Sequence, residues 1–298
     1  MFDLRYHAAS LAAVFLALIV GIVVGVGLSR SGFVSGAERK VLNQRIDALQ
    51  SRLDATRLQQ AQSAREQQAV EVYVKSTYPT LVAGRLPGKH VALVFVGPVD
   101  GQIRTNVQSA LIDAGAPPPL RLRAIRVPIN DPELNAALPR KPAFARYRGT
   151  GHLSDLGRAL GQELVKGGKT PLWDTLSDQL LVERTGGGRR PADAVVVARS
   201  AGPQQRKTAR FLDGLYSGLA GAGKPAIGVE MSTSEISAVA VFERKSLSSV
   251  DSVDTLAGKL ALVFLLGGAQ PGHYGVKESA TDGVVPPLYS VPPVTTGG

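Results

Sequence analysis

From Ala8 to Leu28 the chain reads AASLAAVFLALIVGIVVGVGL, without one charged side chain. At ~1.5 Å per residue, a helix of about 21 residues crosses the ~30 Å hydrocarbon core of a bilayer. Nothing else limits the molecule as strongly, because whatever flanks such a segment must be compatible with a membrane. A buried core helix rarely runs so long. A cleaved signal peptide has an apolar centre of only ~7–15 residues and a more basic front than Asp3, Arg5 and His7 provide. The stretch therefore reads as a retained single-pass anchor at 8–28 behind a short flank at 1–7. Ala9, Ala13, Ala17, Gly21 and Gly25 recur every fourth residue, a small-residue face that lets two helices approach closely in lipid. Alanine and glycine are common in any anchor, so the ladder alone does not establish a pair.

A short linker, SRSGFVSG, occupies 29–36. From Ala37 to Lys75 there is neither glycine nor proline, and strong helix formers dominate. Leu42, Ile46, Leu49, Leu53, Thr56, Gln60, Ser63, Gln67, Val70 and Val74 alternate by four and three, the spacing of a heptad seam. A lone helix leaves such a seam wet, so the stalk at 37–77 is expected to pair as a parallel coiled-coil homodimer, with a solvated single helix as the alternative. The polar middle of the seam, Thr56 to Gln67, suits either registry control or docking of another protein's helix. Tyr78-Pro79 is expected to end the helix, since proline disfavours helical geometry before it.

About 225 residues then remain, enough for one sizeable core. Val91–Val96 (VALVFV), Ala194–Ala198 (AVVVA) and Ala226–Val229 (AIGV) are continuous apolar runs, the mark of strands buried on both faces. Leu120–Val127 (LRLRAIRV) alternates apolar and basic residues and reads as an edge-like strand with one wet face. Ala238–Phe242 is a further candidate strand. Helical spacing over Gln102–Ala114, Asp131–Leu138, His152–Val165, Leu172–Leu181, Gln204–Leu219 and the apolar Thr255–Leu266 alternates with these runs. The fold class is α/β: a transmembrane helix, a coiled-coil helix, then a mostly parallel sheet with flanking helices at 78–283. Thr255–Leu266 is too short to span a bilayer and is expected in the core. The proline- and glycine-rich 284–298 reads as a disordered tail.

The net charge of +10 would suit nucleic acid, but aromatics are only 5% and no basic run exceeds two residues. Arginine spread along the chain fits an anionic lipid or cell-wall surface better, so no nucleic-acid partner is expected. There are no cysteines, which excludes disulfides, thiol catalysis and thiolate metal sites. The four histidines, His7, His90, His152 and His273, lack metal-ligand spacing. No nucleophile elbow or P-loop occurs, and Gly97-Pro98-Val99-Asp100-Gly101 lacks the spacing of a dinucleotide loop. No catalytic residue, cofactor or metal site is assigned. The sharpest local features are SVDSVDT (Ser249, Val250, Asp251, Asp254 and Thr255 within it) and GHYGVK (Gly272, Tyr274 and Gly275 within it). Asp251 and Asp254 are expected to cap the following helix rather than hold a cation. Around Tyr274 a tight turn is expected, with the ring packed.

The N-terminal LRYHAASLAAVFLALIVGIVVGVGL, the seam helix, SVDSVDT and GHYGVK together resemble the actinobacterial copper-transporter family typified by mycobacterial copper transport protein B, over nearly the whole chain. The resemblance implies an envelope protein whose C-terminal domain lies outside the cytoplasmic membrane. Arg5 before the anchor, against Arg30, Arg39 and Lys40 after it, points the other way by the positive-inside rule. The family implies two functions. One is copper transport, efflux or tolerance, with an outer-membrane channel as one form. The other is a non-enzymatic, coiled-coil regulator of a cell-wall hydrolase in cell separation. Copper(I) prefers thiolate, thioether and imidazole donors, and this chain has two methionines, four scattered histidines and no cysteine. On that ground the anchored scaffold is the expected function and copper transport the alternative.

Overall fold

The computed structural model describes residues 4–30, 35–139, 142–187 and 190–287, in two compact units, 1–70 and 71–298. In the first, helix α1 (Leu4–Arg30) contains an apolar window, Ala9–Gly27, of mean hydropathy 2.8 with no residue buried. An exposed apolar helix of that length fits a single-pass membrane anchor. The 29–36 linker is shorter than expected: α1 runs through Arg30 and helix α2 (Ser35–Val82) begins at Ser35, with 31–34 outside the described residues. Along α2 the seam residues Leu42, Leu49, Leu53 and Val70 are each more than half exposed, and Thr56, Gln60, Ser63 and Gln67 are exposed as well. Thr56 turns its hydroxyl back to the Arg52 carbonyl at 2.8 Å.

The second unit starts within α2, and here the expected stop at Pro79 is corrected: the helix carries Pro79 inside it and continues to Val82. A proline there forfeits one backbone bond, a cost of ~3 kcal/mol in an open helix. Burial of Tyr78 and Val82 against the sheet offsets that loss, and Tyr78 also donates from its hydroxyl to Asp113 at 3.1 Å.

Seven strands form one sheet among the described residues: β1 (Val91–Val96), β2 (Arg121–Ile125), β3 (Leu181–Thr185), β4 (Ala194–Arg199), β5 (Ala226–Val229), β6 (Ser248–Val250) and β7 (His273–Tyr274). Their order is β3-β2-β1-β4-β5-β6-β7, parallel throughout except for β3. Alternate residues of the central strands β1 and β4 enter two separate cores. Val91, Leu93 and Phe95 pack with α3 (Gly101–Asp113), α11 (Leu256–Gly267) and the end of α2. Ala92, Val94 and Val96 pack on the other face with α4 (Asp131–Ala137), α6 (Leu153–Lys166), α7 (Pro171–Thr175), α8 (Ser177–Leu180), α9 (Arg206–Ala220) and α10 (Val239–Glu243). A small helix α5 (Pro142–Ala145) precedes α6. Helix α11 is apolar apart from Lys259, which donates to the Ser109 hydroxyl at 2.9 Å, and Leu260–Leu266 are all buried, as in a core helix.

The pair α6 and α9 owes its closeness to glycine. A methyl group on Gly157 or Gly161 of α6 would lie 2.1 Å from the Phe211 carbonyl oxygen or 2.6 Å from that of Leu215. One on Gly214 or Gly218 of α9 would lie 1.9 Å from the Ser154 oxygen or 2.2 Å from that of Arg158. Both helices thus present glycines four apart where the backbones touch.

Three expectations are overturned. Strand β2 is neither an edge nor wet on one face: β3 covers its outer side, and all five of its residues are buried, Arg121 and Arg123 included. Residues 239–242 lie in helix α10 rather than in a strand, with Ala238 at its N-cap and Val239 and Phe242 turned inward. GHYGVK opens with strand β7 instead of a tight turn, although Tyr274 is packed as expected, 1% exposed. Of the C-terminal segment, 284–287 are described, with Val285 resting on the core; 288–298 lie outside the described residues.

Candidate functional site

In an open parallel sheet, ligands gather where the strand order reverses, at the carboxyl ends of the strands. Here that point lies between β1 and β4, and the chain closes it. Gly97, at φ +109°, brings the β1 loop so near the β4 loop that a methyl group on it would meet the Ala201 side chain at 2.9 Å. Ser200 donates its hydroxyl to the Pro98 carbonyl. Asp100 accepts the backbone N–H groups of Gln102 and Ile103 at 2.8 and 3.0 Å. A nucleotide phosphate would need those same donors, so the protein's own carboxylate occupies the place.

The two C-terminal motifs meet further along the same sheet. Ser249 and Val250 pair in register with His273 and Tyr274, and the Ser249 hydroxyl lies 2.8 Å from His273 Nδ1. Asp251, fully buried, accepts from the N–H of Val276 at 2.9 Å, the N–H of Lys277 at 3.2 Å and the Ser279 hydroxyl at 3.1 Å. Asp254 accepts from the Ser232 N–H at 2.7 Å and its hydroxyl at 2.5 Å. The expected caps are therefore corrected: neither aspartate caps α11, whose N-cap is Thr255, accepting from the Gly258 N–H at 2.9 Å. Gly275, at φ +150°, has no room for a side chain because Asp251 Oδ1 would lie 1.7 Å from its Cβ. Gly272 is less confined, with a Cβ there 2.9 Å from Asp282 Oδ2 and 3.0 Å from the Tyr274 ring. Beside this latch the buried Glu230 holds Lys277 Nζ at 3.0 Å and accepts the Ala238 N–H at 2.7 Å. The motif residues come together as a structural latch that ties three loops to the sheet.

A third location was not expected. An open cavity of about 950 Å³ is lined by Arg123, Lys169, Thr170, Asp174, Arg184 and the turn at Gly186. Arg123 is 6% exposed, and Nη1 donates to the carbonyls of Leu122 and Thr185 at 2.7 and 2.8 Å. Burial, then the neighbouring charges of Arg121 and Arg184, draw its pKa below the usual guanidinium range, with Asp174 acting in the opposite sense. The antiparallel register sets Arg123 directly opposite Arg184. Arg121 is 1% exposed and donates to the Leu164 carbonyl in the last turn of α6, where the helix dipole favours a cation. The signal missed in the sequence was Arg184 in LVERT, an arginine within another short strand-like segment that can pair with LRLRAIRV.

The family model described as "Copper transport outer membrane protein, MctB" matches residues 1–286. The chain belongs to the MctB family. Among curated relatives, "Copper transporter MctB" of Mycobacterium bovis is 27% identical over 320 aligned positions, covering 94% of this chain and 98% of the relative. The protein of the same name from Mycobacterium tuberculosis matches to the same extent. These relatives carry the copper story rather than the cell-separation story.

For an MctB-family chain the donor set bears on copper as cargo. Among the described residues no three of His, Cys, Asp and Glu converge. His90 sits by Asp193 at 3.4 Å, His152 by Asp155 at 3.6 Å, and His273 on Ser249, each in a different part of the fold. Met231 packs against the core and takes the Asn106 amide at 4.0 Å from its sulfur. No soft-donor cage for copper(I) is assembled from these residues.

Proposed function

We propose that the chain serves copper transport at the cell envelope as a single-pass, membrane-anchored component without an enzymatic step of its own. The observation that carries this reading is the family match over residues 1–286, which takes in the anchor, the seam helix and both C-terminal motifs. The domain outside the membrane contributes a rigid body whose motif carboxylates are engaged within the fold. The seam of α2 pairs two copies side by side, and the copper route is built by assembly or by a partner. The test is deletion of the gene followed by copper measurement. Deletion is expected to change cell-associated copper and raise copper sensitivity, and the full chain to restore both. A deletion strain with unchanged copper content and tolerance overturns the reading.

The exposed seam supports a second reading, a scaffold that holds an extracytoplasmic partner such as a cell-wall hydrolase. Replacing Thr56, Gln60, Ser63 and Gln67 by leucine would then strengthen the homodimer, weaken capture and leave cells chained. Normal separation in that variant, with altered copper content in the deletion strain, rejects the scaffold in favour of copper transport.

A further inference from the structure

We propose that the cavity between β2, β3 and the α6–α7 loop binds a phosphate-bearing small ligand, gripped by Arg123, Arg184 and Lys169. Like charges placed directly opposite on neighbouring strands destabilise a sheet, yet Arg123 and Arg184 are paired in register. Both face a space of about 950 Å³ lined by Lys169 and, among the described residues, by one carboxylate, Asp174. Arg123 sends both of its hydrogen bonds from Nη1 to backbone carbonyls, and among the described residues no carboxylate forms an ion pair with it. A buried guanidinium ordinarily has an anion beside it. Here the cavity supplies the room for one, and an incoming anion would relieve the Arg123–Arg184 repulsion as well as the charge on Lys169. Three cations against one carboxylate favour a dianion over a simple carboxylate. Two planar forks with a lysine as point charge suit the several oxygens of a phosphate. The turn closes close behind: a methyl group on Gly186 would lie 2.1 Å from the Leu120 carbonyl oxygen. A side chain at 186 is thereby excluded from the cavity wall.

The experiment uses the full chain in neutral detergent, titrated with inorganic pyrophosphate and, separately, with a short-chain phosphatidic acid, and followed by calorimetry and thermal unfolding. Sodium chloride at matched ionic strength and sodium acetate serve as references. Binding with a rise in Tm is expected for the phosphate compounds and not for the references. Pyrophosphate binding assigns a soluble ligand; binding of phosphatidic acid alone assigns a lipid headgroup. Arg184→Ala and Lys169→Ala, both at exposed positions, are each expected to weaken binding at least about tenfold. Arg184→Ala is further expected to raise the Tm of the ligand-free protein, because it removes a like-charge pair. A purely structural arginine would lower that Tm and leave the ligand response intact. The same Tm shift in Arg184→Ala as in the parent, or a shift reproduced by chloride, overturns the proposal.

Discussion

At the scale of single residues, charge placement is where sequence patterning misleads. The alternation in LRLRAIRV has the period of a half-wet strand, and period alone cannot tell whether the polar face meets water or another layer. Arg121 and Arg123 are covered because β3 and α6 close over them, an event set by residues some 40 to 60 positions away. Glu163 was equally invisible: it lies on α6 among polar residues, yet burial, opposed by the N–H groups of Leu172 and Trp173 that it accepts, raises its pKa from 4.5 to about 7. The sign follows directly. Between these values the folded chain holds a proton that the unfolded chain has released, so its stabilising contribution is complete below the unfolded pKa and is lost as pH rises through the folded one. Thermal unfolding of the parent should therefore show Tm declining from about pH 4.5 to about 7, and Glu163→Gln should flatten that decline. An unchanged slope in the variant removes Glu163 as its source.

At the scale of elements, the long continuous strands and amphipathic helices were legible because period and composition agree over many residues. Strands β6 and β7, at three and two residues, carry too little pattern to be seen, and α10 has the β-branched, aromatic composition of a strand while packing as a helix. The α6–α9 contact shows what composition hides, since glycine normally weakens a helix interior. Here it permits contact that no other residue allows: Gly214→Ala sets a methyl group 1.9 Å from the Ser154 oxygen. Overpacking of that kind costs about 3 kcal/mol or more, so Gly214→Ala should lower Tm sharply, whereas Gly151→Ala, with nothing within 4 Å, should leave it nearly unchanged. The seam of α2 allows a separate test, because the chain contains no cysteine. Leu53→Cys lies on the seam and Leu58→Cys off it. In membranes under oxidising conditions the first should give a covalent dimer and the second little, and equal cross-linking of the two would count against a seam-specific homodimer.

At the scale of the whole molecule, the fold class and family were readable from the anchor, the seam and two short motifs, but the working side of the membrane was not. Arg30, Arg39 and Lys40 outnumber Arg5, and the positive-inside rule taken alone would keep the second unit in the cytoplasm. The rule weighs few charges here, whereas the copper-transport and scaffold readings both require that unit to face outward. The outer-membrane wording of the family description meets a sheet whose two faces are each covered by a core; a transmembrane barrel instead needs strands of about 9–11 residues with one face open to lipid. A single membrane anchor with a folded, two-faced sheet domain is the arrangement that agrees with this sheet, and the outward side follows from the proposed readings alone. Two cysteine reporters separate the possibilities, Gln59→Cys in α2 and Glu235→Cys on the second unit, both at exposed positions. With a membrane-impermeant maleimide, both should label in intact spheroplasts as strongly as after lysis. Labelling only after lysis would place the domain in the cytoplasm, and neither an outward copper component nor a cell-wall scaffold would survive that result.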